Sequence, residues 1–224
     1  PREAMRKRNT TKFWRRYMCR FIETIRVDSG TVNNLDYHLR RANLTRQQFF
    51  KGARPLRESD FHRVINPKTK LAKLRFEYDG NAIYNLTAEP YVMRQVQSLR
   101  IVADKNIAYP YKCADRTLLN QLREQRGTCD DIVIVRRGNI TDTSYTNIAF
   151  FDGKEWLTPD TPLLPGTRRK SLIDNGKLRE ARITLADLPH FKRLALINAM
   201  IGLGELSTPY HMEEDTAGLK IVLE

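Results

Sequence analysis

The chain lacks the features that define several classes of protein. No window reaches the roughly 18 consecutive apolar residues of a membrane-spanning helix, and the three cysteines are widely spaced, with no CxxC pair. These absences exclude a disulfide scaffold and a zinc ribbon, and they favour a cytoplasmic protein. With 41% hydrophobic and 9% aromatic residues, the 224-residue chain can still build a core, as one large domain or two small ones.

Several catalytic motifs are also missing. The sequence contains no GxGxxG, Walker, HExxH or GxSxG motif, and its four histidines are scattered along the chain. The motifs needed for hydrolysis by a catalytic triad and for catalysis by zinc are therefore absent from the sequence, and we expect no metal site.

The net charge of +13 is unevenly distributed. Residues 1–20 contain eight of the 39 Lys and Arg residues and one acid, Glu3, so this leader holds more than half of the excess charge. It lacks the apolar core of a secretory signal. One interpretation is that it binds RNA or acidic partners; the other is that Met18 is the native start, because strand-like sequence follows at once. We expect residues 1–17 to be disordered or to precede the native start.

The apolar pattern predicts an α+β protein. Helices are predicted at 35–50, with Asn34 as the cap, at 114–125 and at 166–176. Isolated helices between runs of strands favour α+β over a doubly wound sheet. A linker at 104–110 would separate a small N-terminal subdomain, 18–105, from a larger C-terminal one, 106–224. The predicted strands are 20–27, 71–78, 82–91, 99–103, 132–135, 148–151, 155–157, 179–183, 193–197 and 219–223.

A series of short motifs follows in a specific order. They read IETIR at 22–26, HLRR at 38–41, YK at 111–112, GNITDTSYTNI at 138–148, TP at 158–159, LPGTR at 164–168 and NAM at 198–200. In order and spacing they resemble the fold-type IV pyridoxal-phosphate enzymes, the class IV aminotransferase family. This family includes branched-chain and D-amino-acid aminotransferases and 4-amino-4-deoxychorismate lyases. The resemblance extends from about residue 20 to residue 204.

The resemblance implies a fold and an assembly. We expect two α/β subdomains of the D-amino-acid aminotransferase-like kind with the cofactor between them, and a homodimer. Family members usually have an additional strand and turn before the first motif. Residues 1–17 match neither, so part of the wall of the substrate pocket would be missing or supplied by the partner subunit.

The resemblance identifies Lys112 as the lysine that binds pyridoxal 5'-phosphate covalently. Such chemistry requires a lysine that can lose its proton at low cost. Its position alone would favour a solvated surface lysine, and only the order of the motifs favours the catalytic role. Thr24 would face the substrate from the first strand. Arg116 would approach the cofactor hydroxyl or lie on a solvated helix surface.

The remaining candidates would hold the two ends of the cofactor. Asp142 occupies the position where the family usually has a glutamate that keeps the ring nitrogen protonated; it is one methylene shorter, so the strand lies closer or a water fills the gap. Asn147 would fix the local loop. The sequence GTRR replaces the usual GITR, which removes a threonine hydroxyl but keeps the backbone N–H groups. The predicted phosphate-binding residues are Arg41, Gly166, Thr167, Arg168, Asn198 and Ala199.

Two reactions are open within the family. A lyase would convert 4-amino-4-deoxychorismate to 4-aminobenzoate and pyruvate in the folate pathway, whereas an aminotransferase would pass an amino group to a 2-oxo acid. Residues 198–200 match the lyase branch best, so we favour the lyase. A non-catalytic family member, or an RNA-binding protein acting through its basic leader, is the remaining alternative.

Overall fold

The computed structural model describes residues 20–224, which form two compact units. The first contains residues 20–91 and 111–115, and the second contains residues 92–110 and 116–224. The sequence instead placed one division after residue 105. The difference arises because the strand that begins at Ser98 pairs with strands of the second unit, whereas Cys113 forms a β-bridge with Phe21. The predicted leader at 1–17 lies outside the described residues.

An antiparallel sheet and a helix build the first unit. The elements are β1 (Phe21–Asp28), β2 (Thr31–Val32), α1 (Leu35–Phe49), two 3₁₀ turns (Glu58–Asp60, His62–Val64), β3 (Leu71–Tyr78) and β4 (Ile83–Pro90). The strand order is β2-β1-β3-β4, and helix α1 packs against β1. Side chains alternate along β1, so that Phe21, Ile25 and Val27 are buried on one face, as expected for a strand that covers a core.

A larger mixed sheet forms the second unit. The elements are β5 (Ser98–Ala103), α2 (Thr117–Glu124), β6 (Asp131–Arg136), β7 (Asn139–Thr143), β8 (Asn147–Phe151), β9 (Trp156–Pro159), α3 (Thr167–Asp174), β10 (Arg179–Ala181), a 3₁₀ turn (Leu185–His190), β11 (Arg193–Ile197), β12 (Ser207–Thr208), β13 (Tyr210–Asp215) and β14 (Gly218–Leu223). The strands follow the order β10-β9-β8-β7-β6-β5-β14-β13, while β11 pairs with β8 and β12. The pairs β5–β6 and β9–β10 are parallel.

Three strands of the second unit were not predicted: β7, β13 and the two-residue β12. Strand β7 has the polar sequence NITDT, and β13 carries mostly charged and polar side chains at the edge of its sheet. Neither shows the apolar alternation from which strands are recognised, and charges on an edge strand are common because they oppose aggregation. The turn before β7 is nevertheless specific: Arg137 and Gly138 have φ of 54° and 81°, as in a two-residue hairpin turn.

Helix α1 begins at Leu35, as predicted, and α3 begins within one residue of its predicted start. Helix α2 begins at Thr117 instead of residue 114. Asn34 precedes α1 in the left-handed conformation and makes no side-chain capping hydrogen bond, so the predicted capping by its side chain is absent. In the part of the chain that the structure describes, no helix has both the length and the apolar character needed to cross a membrane.

Candidate active site

Lys112 lies on a segment whose backbone is fixed against strand β1. Its carbonyl oxygen accepts a hydrogen bond from the Ile22 N–H at 2.8 Å. The neighbouring Tyr111 ring packs edge-on against Phe49, with 4.7 Å between ring centroids, and against Phe21 at 6.3 Å. The lysine is half-buried. These contacts distinguish Lys112 from a lysine on a solvated loop, because its backbone is held by both hydrogen bonds and aromatic packing.

A buried carboxylate lies at the centre of the first unit. Glu23 is fully buried, and its Oε2 lies 2.6 Å from His38 Nδ1. Arg41 donates from Nε to Oε1 at 2.9 Å and from Nη2 to Oε2 at 2.6 Å. This two-bond arrangement fixes the plane of the guanidinium as well as its position.

The charges of this cluster are interdependent. Burial alone would raise the pKa of Glu23, but the charge of Arg41 and the hydrogen bond from His38 lower it to about 2. Burial lowers the pKa of His38, and the nearby charges of Arg41 and Lys112 lower it further. The hydrogen bond and the charge of Glu23 raise this pKa, but the net shift is downward. Glu23 is therefore ionised and His38 neutral at pH 7, with its proton on Nδ1 facing the carboxylate. Lys112 and Arg41 are thus both near His38.

Asp142 is the corresponding buried carboxylate of the second unit. Asn147 donates from Nδ2 to its Oδ1 at 2.7 Å, and the N–H groups of Leu163 and Leu164 both donate to Oδ2 at 2.9 Å. Burial raises the pKa of Asp142 to about 6, although the three hydrogen bonds and the charge of Arg169 oppose this shift. An anion so poorly solvated favours a positively charged partner.

Strand pairing places Asp142 at this position. Asp142 is directly opposite Asn147 in the β7–β8 pair, and Asn147 is opposite Ile197 in the β8–β11 pair. The register between β6 and β7 also shifts between Val133 and Val135, and such irregularities reorient side chains. Three strands therefore bring Asp142, Asn147 and the residues after Ile197 to one end of the sheet.

The predicted phosphate-binding residues of the second unit lie at the start of α3 and at the turn after β11. Gly166 precedes α3 and has no side chain with which to cap the helix, and the start of a helix favours the binding of an anion. Arg168 Nη2 lies 3.4 Å from the Ala199 carbonyl oxygen. Asn198 Oδ1 accepts the N–H groups of Met200 and Ile201 at 2.8 and 3.0 Å, which closes the turn. Arg168 thereby connects the two segments.

Thr24 and Arg116 have more local surroundings. Thr24 is half-buried on β1, opposite Arg75 of β3. Arg116 precedes α2 and donates from Nη2 to the Ser144 carbonyl oxygen at 2.6 Å. The Arg116 side chain therefore supports the loop after Asp142. Its predicted contact with the cofactor hydroxyl stays a prediction, as does the convergence of the residues of the two units on one cofactor.

Sequence reasoning assigned no role to Glu23 and only a loop-fixing role to Asn147. A signal for Glu23 was present, because it occupies the same face of β1 as Phe21 and Ile25, where a charged side chain requires a partner. Asn147 carried no such signal. Its contact with Asp142 depends on the unpredicted strand β7.

The residues of the second unit fit pyridoxal phosphate. A carboxylate offers about four acceptor positions, and three hydrogen bonds to Asp142 are present. The position that is left suits a protonated pyridine nitrogen, for which a buried carboxylate is the usual partner. The start of α3, which follows a glycine, suits a phosphate group.

Comparison with protein families agrees with this interpretation. The model for the amino-transferase class IV family matches residues 20–207. A protein of undescribed function from Haemophilus influenzae is 34% identical over 185 residues, which cover 81% of this chain and 97% of that protein.

Solved structures show the same fold. A putative 4-amino-4-deoxychorismate lyase from Haemophilus somnus superposes with a TM-score of 0.77 at 32% identity, covering 84% of this chain and 99% of that one. A hypothetical aminotransferase from Mycobacterium tuberculosis, in a form with pyridoxal phosphate bound, superposes with a TM-score of 0.68 over 88% of this chain and 82% of its own. At 16% identity, the second likeness concerns the fold alone.

Proposed function

The chain belongs to the class IV aminotransferase family of pyridoxal-phosphate-dependent enzymes, and from this we propose that it is a lyase that converts 4-amino-4-deoxychorismate to 4-aminobenzoate and pyruvate. The observation that carries the proposal is the similarity to the Haemophilus somnus protein, which spans almost the whole of that chain at 32% identity. The NAM sequence at 198–200, closest to the lyase branch, also favours this reaction.

Each candidate residue has a role in this reaction. Lys112 would bind the cofactor, Asp142 would hold its ring nitrogen, and Arg41 with the start of α3 would hold its phosphate. Glu23 keeps the Arg41 guanidinium in one orientation. Bound pyridoxal phosphate supplies an electron sink for the electron pair that remains when a substrate C–H bond breaks.

With pyridoxal phosphate bound, Lys112 would also serve as the base. Its Nζ would accept the proton from the ring carbon of the substrate, and cleavage of the C–O bond to the side chain would release enolpyruvate as the ring becomes aromatic. The enolpyruvate would then take up a proton to become pyruvate. Thr24 would contact the substrate from β1.

The decisive experiment distinguishes the lyase from an aminotransferase. Purified protein loaded with pyridoxal phosphate is incubated with 4-amino-4-deoxychorismate in the absence of any 2-oxo acid. We expect 4-aminobenzoate and pyruvate in equal amounts, with the visible absorbance band of the bound cofactor retained after each cycle. The Lys112→Ala protein serves as the control and should form neither product.

The opposite outcome would identify an aminotransferase. L-Leucine, L-glutamate or D-alanine, added without a 2-oxo acid, would then rapidly abolish the visible band, and no 4-aminobenzoate would form from 4-amino-4-deoxychorismate. We expect these amino acids to react slowly at most. We also propose that the protein is a cytoplasmic homodimer, and light scattering of the loaded protein tests the assembly.

A further inference from the structure

The amide of Asn147 has a single possible orientation. Its Nδ2 donates both to Asp142 Oδ1 at 2.7 Å and to the Leu164 carbonyl oxygen at 2.9 Å. Both partners are acceptors, so a flipped amide would place oxygen against oxygen. The side chain is also buried, with 6% of its surface exposed. Asn147 therefore links strand β7 rigidly to the loop that leads into α3.

Three donors determine which acceptor position of Asp142 remains. The N–H groups of Leu163 and Leu164 both bind Oδ2, and Asn147 occupies one side of Oδ1. The remaining position therefore lies on the other side of Oδ1. Without Asn147, Oδ1 would have two equivalent positions, and the buried carboxylate would lose one of the donors that stabilise its ionised form.

Gly166 provides the space that this arrangement needs. A Cβ atom built on Gly166 would collide with Asn147 Oδ1. Gly166 has φ of −68° and ψ of 144°, which any residue can adopt, so its backbone conformation does not require glycine. The absence of a side chain is explained by the contact with Asn147.

We propose that Asn147 is a positioning residue: it holds the Asp142 carboxylate so that one oxygen faces the pyridine nitrogen, and Gly166 allows it to do so. The role of the open oxygen rests on the proposed use of pyridoxal phosphate. The hydrogen bond from Asn147 to the Asp142 carboxylate is present without cofactor. Arg169 is the charged group that also acts on Asp142, and its side chain is held by the Pro159 carbonyl oxygen and Glu180.

The first measurement uses the apoprotein. Aspartate carboxyl carbons are labelled with ¹³C, the Asp142 signal is identified by its loss in Asp142→Asn, and its titration is followed by NMR. We expect the midpoint, near 6 in the unchanged protein, to rise by about one pH unit in Asn147→Ala, the size expected for one lost hydrogen bond to a charged group. Gly166→Ala should shift it in the same direction, because the added methyl group displaces the amide.

A matched control separates this effect from a general loss of structure. Asn175 also donates from Nδ2 to a backbone carbonyl oxygen, that of Ser171 at 2.7 Å, at the other end of α3. Asn175→Ala should leave the Asp142 midpoint unchanged. Gly166→Ala adds only one methyl group and keeps the test decisive if Asn147→Ala fails to fold.

The second measurement tests the cofactor. Asn147→Ala should weaken binding of pyridoxal phosphate about tenfold, and it should weaken binding of pyridoxal, which lacks the phosphate, by the same factor, because the effect concerns the ring nitrogen. An unchanged Asp142 midpoint in the folded variants, or a loss of affinity confined to the phosphorylated cofactor, would overturn the proposal. Failure of the unchanged protein to bind either compound would instead refute the proposed function, since the apoprotein titration does not depend on cofactor.

Discussion

Arg41 donates a hydrogen bond to each carboxylate oxygen of Glu23, from Nε to Oε1 at 2.9 Å and from Nη2 to Oε2 at 2.6 Å. The two residues are 18 positions apart, on β1 and α1, so the pair also joins the helix to the sheet. A buried carboxylate that orients a candidate phosphate ligand makes specific predictions about stability and binding.

Glu23→Gln should destabilise the protein at neutral pH and reduce its sensitivity to acid. The pKa of Glu23 falls from 4.5 to about 2 on folding. The carboxylate therefore contributes stability that is present above pH 4.5 and is lost as the pH falls through 2, by about 3 kcal/mol. Urea unfolding across this range should show a flatter pH dependence in Glu23→Gln, and the same variant should bind pyridoxal phosphate about tenfold more weakly. Equal slopes for both proteins would contradict the role of Glu23.

Lys112→Ala should abolish turnover and leave the fold intact, because a half-buried lysine contributes little to stability. Borohydride reduction of the loaded protein, followed by peptide mapping, should locate the cofactor on Lys112. Lys51→Ala, which changes an exposed lysine of the same unit, is the control and should retain full activity. A label found only on other lysines would refute the assignment.

Asp142→Asn should lower the activity of the protein but raise its relative stability as the pH rises. The pKa of Asp142 rises from 3.8 to about 6 on folding, so the protonated form contributes stability below pH 3.8 that is lost as the pH rises through 6, by about 3 kcal/mol. The free energy of unfolding of the variant, relative to the unchanged protein, should therefore increase between pH 4 and 6.5. Turnover should fall by a factor of about 100 or more, as when another preorganised electrostatic partner is removed. A variant that retains full activity would show that Asp142 is not the ring partner.

Thr24→Val tests the substrate side of β1. The substitution keeps the shape and the strand preference of the side chain but removes the hydroxyl. We expect kcat/KM to fall about tenfold with no change in the affinity for pyridoxal phosphate. Thr87→Val provides a control on β4, since Thr87 is also paired with Arg75. Equal effects of the two substitutions would indicate a general change in the sheet.

The sequence predicted most of the first unit because its strands alternate clearly. Strands β1, β3 and β4 lie within a residue or two of their predicted bounds. Lys112, Arg41 and Asp142 are candidates because their motifs resemble those of the family, and their roles stay predictions. Asp142 was assigned without the strand that carries it. What could not be predicted depends on contacts between distant elements: the partner of Arg41, the contact of Asn147 with Asp142, and the return of residues 111–115 to the first unit. No local pattern encodes such contacts.

The β-bridge between Phe21 and Cys113 has a consequence for how the chain folds. It joins positions about 90 residues apart, and closing so long a loop costs chain entropy before the contact stabilises anything. During synthesis, the first sheet can form while the residues that complete it, Lys112 among them, are still to be made. The segment that carries the candidate catalytic lysine is therefore expected to join its unit late, and the protein to gain its activity in a slower phase than its first secondary structure.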